Sequence, residues 1–366
     1  MIKFRSALDS IKPYIPGKPI KEVKRELGIE GDIIKLASNE NPLGPSPKAI
    51  EALIKTAGDA HIYPDDSIYY LREKIAGIRH CSPDSIMVGN GSVEVLHIAV
   101  SSVCDTGSTL VRSNRAFIMS LISPRIMGAD VISIDMKEFR HDYMALVGAV
   151  LKNNAEVLYI DNPTNPLGTI LTEEEIMYIL ENTPQSTMII LDEAYNEYLD
   201  DNERVEWSKY IDKYSNLVLL STFSKIYGLA GLRIGYMIAN SSTIKKIGKV
   251  RLPFNVNSPA QTAAMAALDD REFIEKSRMM NNEGRKFLSS ELGAMGLETI
   301  RSHTNFITFR LPGEADDVFR YLQKKGVIAR PLANYGLGEY MRVTIGTPEQ
   351  NRIFIEKLKE VMSEIQ

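Results

Sequence analysis

Cysteine is nearly absent from this chain. Its 366 residues hold two, Cys81 and Cys104, so no disulfide framework is available, and that usage fits a reducing cytoplasm. A surplus of positive charge is missing as well: 43 lysines and arginines face 47 aspartates and glutamates, a net charge of −4. Nucleic-acid binding leans on a basic surface, so this balance argues against an obligate DNA or RNA binder. No apolar run approaches the roughly 18 to 20 residues that cross a bilayer, and the N-terminus, MIKFRSALDSIKPYIPGKP, lacks the apolar core of a signal peptide. Fixed-period repeats, charge blocks, low-complexity segments and long Pro/Gly/Ser linkers are also missing. What remains is a length two to three times that of a usual single domain. Apolar residues make up 44% and charged residues 25%, as in ordinary globular proteins. A cytoplasmic protein with more than one core is expected.

Seven short runs rich in Val, Ile and Leu lie between residues 85 and 239: 85–88, 109–111, 130–134, 156–160, 187–192, 216–222 and 232–239. They are mostly non-alternating, as strands covered on both faces should be. Helical stretches separate most of them, the clearest opening with the capping-box pattern Thr172-Glu173-Glu174-Glu175. Such alternation predicts an α/β fold with a mostly parallel seven-stranded sheet and helices on both faces. After residue 245 the texture changes. Two helical stretches (258–268 and 270–292) lead into NFITFR, GVIARP and YMRVTIG, and an amphipathic helix closes the chain. This reads as a smaller α+β unit. The predicted division is a large domain over 30–245 and a small domain built from 1–29 plus 246–366.

Open α/β sheets bind ligands beyond the carboxyl ends of their strands, and several of those ends here carry unusual polar residues. Gly89-Asn90-Gly91-Ser92-Val93 joins a strand to a helix, where backbone N–H groups favour an anion such as phosphate; a plain turn is the bland alternative. Asp161-Asn162-Pro163-Thr164-Asn165-Pro166-Leu167-Gly168 is a rigid turn that also suits a fixed side-chain amide, Asn165. Asp192-Glu193-Ala194-Tyr195 ends an apolar run. It could be a turn, a magnesium-nucleotide acid or a partner for a ring nitrogen; the nucleotide reading needs a GxxxxGK[ST] loop, which the chain lacks. Lys225 follows the strand 216–222, where burial disfavours an ammonium ion and prepares an imine-forming amine. A structural lysine–carboxylate pair is the alternative there. Arg233 offers a fork of donors for phosphate, and GxGxxG is absent. Together, an anion cradle, a fixed amide, an acid, a desolvated lysine and an arginine match the needs of pyridoxal phosphate.

At this point the sequence resembles the fold-type I pyridoxal-phosphate-dependent aminotransferases, and within them the histidinol-phosphate aminotransferases. The resemblance runs over essentially the whole chain. It is carried by Pro13-Tyr14 with Pro16-Gly17-Lys18-Pro19, IKLASNENPLG (34–44), Tyr63-Pro64-Asp65, DNPTNPLG (161–168), DEAY (192–195), SKIYGLAGLRIG (224–235) and RVTIGT (342–347). It implies that Lys225 carries the cofactor, that Asp192 pairs with the pyridine nitrogen, and that Asn165 and Tyr195 bond the ring hydroxyl. It further implies that the main chain of Gly91, Ser92 and Val93, with Thr222, Ser224 and Arg233, holds the phosphate. Tyr63 is expected to reach the phosphate of a neighbouring subunit's cofactor, which makes a homodimer part of the site. Arg342 is expected to bind the substrate's acidic group, with Arg330, Tyr14 and Asn39 at the same end. No metal is expected.

Two departures stand out. Phe117, within Ser113-Asn114-Arg115-Ala116-Phe117, occupies the place of a ring-stacking tyrosine and offers a face without a hydroxyl. Thr164 and Leu167 depart from the commoner NNPTG. The implied reaction is transfer of the amino group of histidinol phosphate to 2-oxoglutarate, giving imidazole acetol phosphate and glutamate. An aromatic or broad-specificity aminotransferase, a threonine-phosphate-type decarboxylase and a non-catalytic ligand sensor on the same fold are the alternatives.

Overall fold

The computed structural model describes residues 2–13, 19–28 and 30–365. Its centre is a seven-stranded sheet of β1 (Ile86–Gly89), β2 (Thr109–Ser113), β3 (Asp130–Ile134), β4 (Val157–Asp161), β5 (Met188–Asp192), β6 (Leu217–Thr222) and β7 (Gly235–Ala239). The spatial order is β1-β7-β6-β5-β4-β2-β3, with β7 antiparallel to both neighbours and the remaining pairs parallel. The α/β reading of the sequence therefore holds.

Strand alternation places every second residue on one face. Leu158, Ile160, Ile189, Leu191, Leu217 and Leu219 enter one apolar core, whereas Val157, Tyr159, Met188, Ile190, Val218 and Leu220 enter another on the opposite face. Helices cover both, which is why these runs are apolar without interruption. Full burial of each such side chain is worth about 1.5–3 kcal/mol. The predicted capping box forms: Thr172 Oγ1 accepts the Glu175 amide at 3.3 Å, and Glu175 Oε2 accepts the Thr172 amide at 2.8 Å.

A third core lies between a four-stranded antiparallel sheet and two helices, Arg271–Ala294 and Pro348–Ile365. The sheet contains β8 (Thr299–Ile300), β9 (Phe306–Arg310), β10 (Arg330–Leu332) and β11 (Leu337–Thr344), in the order β10-β11-β9-β8. Two details differ from the sequence reading. GVIARP is not one strand: Val327–Ile328 pairs in parallel with Ile34–Lys35, and only Arg330–Leu332 joins the larger sheet. β7 begins at Gly235 rather than 232, because 230–232 closes a 3-10 turn and Arg233 has φ 57°, a left-handed conformation no strand accepts.

Candidate active site

The carboxyl ends of β4, β5 and β6 and the helix Ser92–Ser101 surround a cavity of about 380 Å³. Its lining includes Ser92, Val93, Phe117, Asp161, Asn165, Asp192, Tyr195, Thr222, Ser224, Lys225 and Arg233. These residues come from widely separated stretches of the chain, and the sheet register brings them together.

One end of the cavity is built for an anion. The first turn of the helix Ser92–Ser101 leaves N–H groups without helical acceptors, directed at the cavity end where Arg233 lies. Arg233 Nη1 donates to the Ala230 carbonyl at 3.0 Å and lies 3.5 Å from Ser224 Oγ. Gly91, at φ 85° and ψ 166°, allows the guanidinium to approach the helix start. A Cβ at this position would stand 2.6 Å from Arg233 Nη2. Thr222 Oγ1 accepts the Ser224 amide at 3.1 Å, which fixes the turn that leads to Lys225.

The floor carries two acids. Asp192 Oδ2 accepts the Tyr159 hydroxyl at 2.9 Å, and Oδ1 accepts the Ala194 amide at 3.1 Å. Burial pushes its carboxyl up to about 7, repulsion from Asp161 adds to this, and the Tyr159 bond opposes it. Asp161 is also pushed up to about 7, chiefly by burial. Lys225 extends above this floor. Its Nζ lies 3.4 Å from the Ser38 carbonyl oxygen and 5.4 Å from the Tyr195 ring centroid.

Tyr195 is buried, and its hydroxyl accepts the Asn39 side-chain amide at 2.9 Å. Burial is the main cause that raises its phenol to about 12, with the Arg342 charge opposing, so the phenol keeps its proton at neutral pH. Asn39 is itself fixed through Thr344, whose Oγ1 accepts its backbone amide at 2.9 Å. Its contact is thus with Tyr195, and it is not among the residues that face the cavity. Arg342 stands behind Asn165: Nη1 donates to Asn165 Oδ1 at 2.5 Å and Nη2 to the Ala37 carbonyl at 2.8 Å. Arg330 is its cross-strand partner in the β10–β11 ladder, and neither arginine is among the residues that line the cavity.

Tyr63 is not brought to this cavity within one chain. It is 79% exposed, and its ring packs 4.9 Å from that of Phe254. Tyr14 lies outside the described residues. Asp161, Ser38 and Glu40 also line the cavity, and Tyr159 supports it through Asp192, with no local sequence signal that assigns them a role. Asp161 opens the quoted DNPTNPLG turn, but its position opposite Asp192 is a matter of strand register.

A lysine amine above a buried acid, an amide and a phenol at one side, and an anion cradle at the other suit a phosphorylated, carbonyl-bearing nitrogen heterocycle. Fold and site together define an enzyme that handles amines through such a group. Residues 31–358 match the family described as aminotransferase class I and II, and the chain belongs to that family. It is 41% identical to a histidinol-phosphate aminotransferase of Moorella thermoacetica over 99% of this chain and 93% of that protein. It is likewise 41% identical to one from Caldicellulosiruptor saccharolyticus, over 98% of this chain and all of the other. The solved histidinol-phosphate aminotransferase of Sinorhizobium meliloti, in complex with pyridoxal 5'-phosphate, superposes with a TM-score of 0.93 at 26% identity, covering 100% of this chain and 99% of that one.

Proposed function

We propose that this enzyme binds pyridoxal phosphate and transfers the amino group of histidinol phosphate to 2-oxoglutarate. The observation that carries the reading is the convergence of Lys225, Asp192 and the Gly91–Arg233 cradle on one cavity. The names and near-complete coverage of the relatives support the substrate pair. When bound, the cofactor supplies an electron-withdrawing ring that takes up the charge left by α-proton removal.

The chain's own groups do the rest. Main-chain Gly91, Ser92 and Val93, with Thr222, Ser224 and Arg233, hold the phosphate. The Lys225 amine would hold the cofactor and, when free, would take up the proton from the substrate's α-carbon on its Nζ. Asp192, whose carboxyl is displaced upward by burial, would face the ring nitrogen and favour its protonated form. Tyr195 and Asn165 reach the ring oxygen, with Asn39 orienting the Tyr195 hydroxyl. Phe117 stacks on the ring. Arg342 takes the substrate's acidic group, helped by Arg330 and Tyr14.

We place the active unit as a homodimer, with Tyr63 reaching the partner's cofactor phosphate. Exposed Ile62, Tyr63, Tyr69, Tyr70, Leu252 and Phe254 support this, since an apolar surface of that kind favours cover by a second copy. The Arg251–Asp66 ion pair at 2.7 Å ties the two segments together. The domain division at 30–245 against 1–29 plus 246–366 belongs to the same reading. So does a cytoplasmic location, to which the unpaired Cys81 and Cys104 contribute; no helix of the described residues is long and apolar enough to cross a membrane.

The test is a half-reaction screen on the cofactor-loaded enzyme, following the cofactor's absorbance after addition of histidinol phosphate, phenylalanine, tyrosine, glutamate or phosphothreonine. Conversion by histidinol phosphate and glutamate is expected. Conversion by phenylalanine with none by histidinol phosphate would overturn the substrate, and full turnover by Lys225→Ala would overturn the chemistry.

A further inference from the structure

Asp161 ends β4 directly opposite Asp192 in the parallel register, is 3% exposed and borders the cavity. The transamination above gives it no task. Its Oδ2 accepts two backbone N–H groups, that of Asn165 at 2.8 Å and that of Phe117 at 3.1 Å. These amides belong to separate loops, one following β2 and the other following β4, and both residues line the cavity. Loop amides have no ladder to place them, so a single shared acceptor sets how far apart the two loops stand.

The surroundings hold this oxygen in place. Arg112, 1% exposed on β2, donates Nη2 to the Ala116 carbonyl, immediately before Phe117. Its charge, together with the two amides, opposes the effect of burial on Asp161. His141 bonds the Asp161 main-chain carbonyl through Nε2 at 3.0 Å and Ser113 Oγ through Nδ1 at 2.7 Å. Burial lowers His141 to about 4, so it is a neutral strut and leaves Arg112 as the countercharge. Asp192, with Tyr159 bonded to it, faces Asp161 from the neighbouring strand.

We propose that Asp161 is a positioning residue: its carboxylate clamps Phe117 and Asn165 at one separation, and so sets the gap in which the cofactor ring is gripped. The inference rests on the cofactor reading above. Phe117 supplies the stacking face and Asn165 the amide, and both contacts depend on where their backbones stand.

The experiment uses the full chain at about pH 8.5, above the raised Asp161 value of about 7, and Asp161→Asn, which keeps the volume and one acceptor oxygen but removes the charge. Three readouts are expected to move together. The dissociation constant for pyridoxal phosphate rises at least about tenfold, because charge-assisted bonds are replaced by neutral ones. The circular dichroism of the bound cofactor, which reports ring orientation, changes in intensity. The Phe117 and Asn165 amides exchange with solvent at least about tenfold faster. A lower melting temperature with unchanged affinity and dichroism would mean a merely structural role and would overturn the proposal. Should Asp161→Asn fail to fold, exchange in the unaltered protein decides. Protection of both amides well beyond that of neighbouring loop amides supports the clamp, and free-loop rates refute it. If the unaltered protein failed to bind pyridoxal phosphate, the functional reading would fall, while the amide exchange would still judge the clamp.

Discussion

Replacing Gly91 with alanine tests the phosphate cradle through two effects that the structure separates. The backbone at Gly91, φ 85° and ψ 166°, lies in a region populated almost only by glycine. An alanine there costs about 1–3 kcal/mol of folding free energy. With roughly 2.1 cal/mol/K of unfolding entropy per residue, that corresponds to a fall in melting temperature of only about 1–4 °C in a chain of this size. The second effect is local. The new Cβ would stand 2.6 Å from Arg233 Nη2 and 3.3 Å from its Cζ, so the guanidinium must leave its place beside the helix start. Charged hydrogen bonds are worth about 1.5–3 kcal/mol, so affinity for pyridoxal phosphate should fall roughly 10- to 150-fold. Titration of the apoprotein by cofactor absorbance measures the second effect, and thermal unfolding of the apoprotein measures the first. Gly77→Ala is the control. It lies on the exposed side of the helix Tyr69–Arg79, where an added methyl group would meet nothing within 4 Å, and should gain about 0.5–1 kcal/mol with unchanged affinity. Wild-type affinity in Gly91→Ala would refute the placement of Arg233 in the cradle.

The two floor acids predict a pH dependence. Asp192 and Asp161 sit near 7 in the fold against ordinary values near 4. The folded apoprotein therefore keeps protons that the unfolded chain releases, so the stability from this pair is full below about pH 4 and is lost as pH rises through about 7. Asp192→Asn should flatten that loss in melting curves taken between pH 5 and 8; an unchanged slope would count against the buried pair. His141 acts in the opposite sense. Held near 4 against an ordinary 6.5, it contributes stability that is present above about 6.5 and lost as pH falls through about 4, and His141→Asn should remove that acid limb. Arg342→Lys keeps the charge but not the two bonds to Asn165 and Ala37. It should raise KM for the keto acid roughly tenfold with a smaller change in kcat; equal KM would remove Arg342 from substrate binding. If the proposed homodimer shares its sites, mixing Lys225→Ala with Tyr63→Ala chains should restore about a quarter of wild-type turnover, because half the dimers would be hybrid and each hybrid would have one intact site. No recovery would exclude a shared site.

Much of the site was legible because chemistry that needs fixed geometry leaves marks at strand ends. Lys225, Asp192 and Asn165 each follow an apolar run, and those runs formed strands within a few residues of their predicted bounds. Arg233 was legible as a donor but not as a left-handed residue before β7, since the turn at 230–232 carries no signal that separates it from the strand. The resemblance puts Asn39 at the substrate end. Its amide instead bonds the Tyr195 hydroxyl, a contact made between residues 156 positions apart.

The sequence by itself determined the strands, their two-sided burial and the residue types needed at their ends, because these depend on local periodicity and on the chemistry of single side chains. Only the tertiary structure decided which of those ends meet. That Asp161 lies opposite Asp192, that one of its oxygens joins the amides of Phe117 and Asn165, and that Arg342 reaches Asn165 across 177 positions all follow from strand register and packing. No local pattern encodes a register between distant strands. It is set when both faces of the sheet are buried at once, and a slip of one residue would turn every apolar side chain to the wrong core.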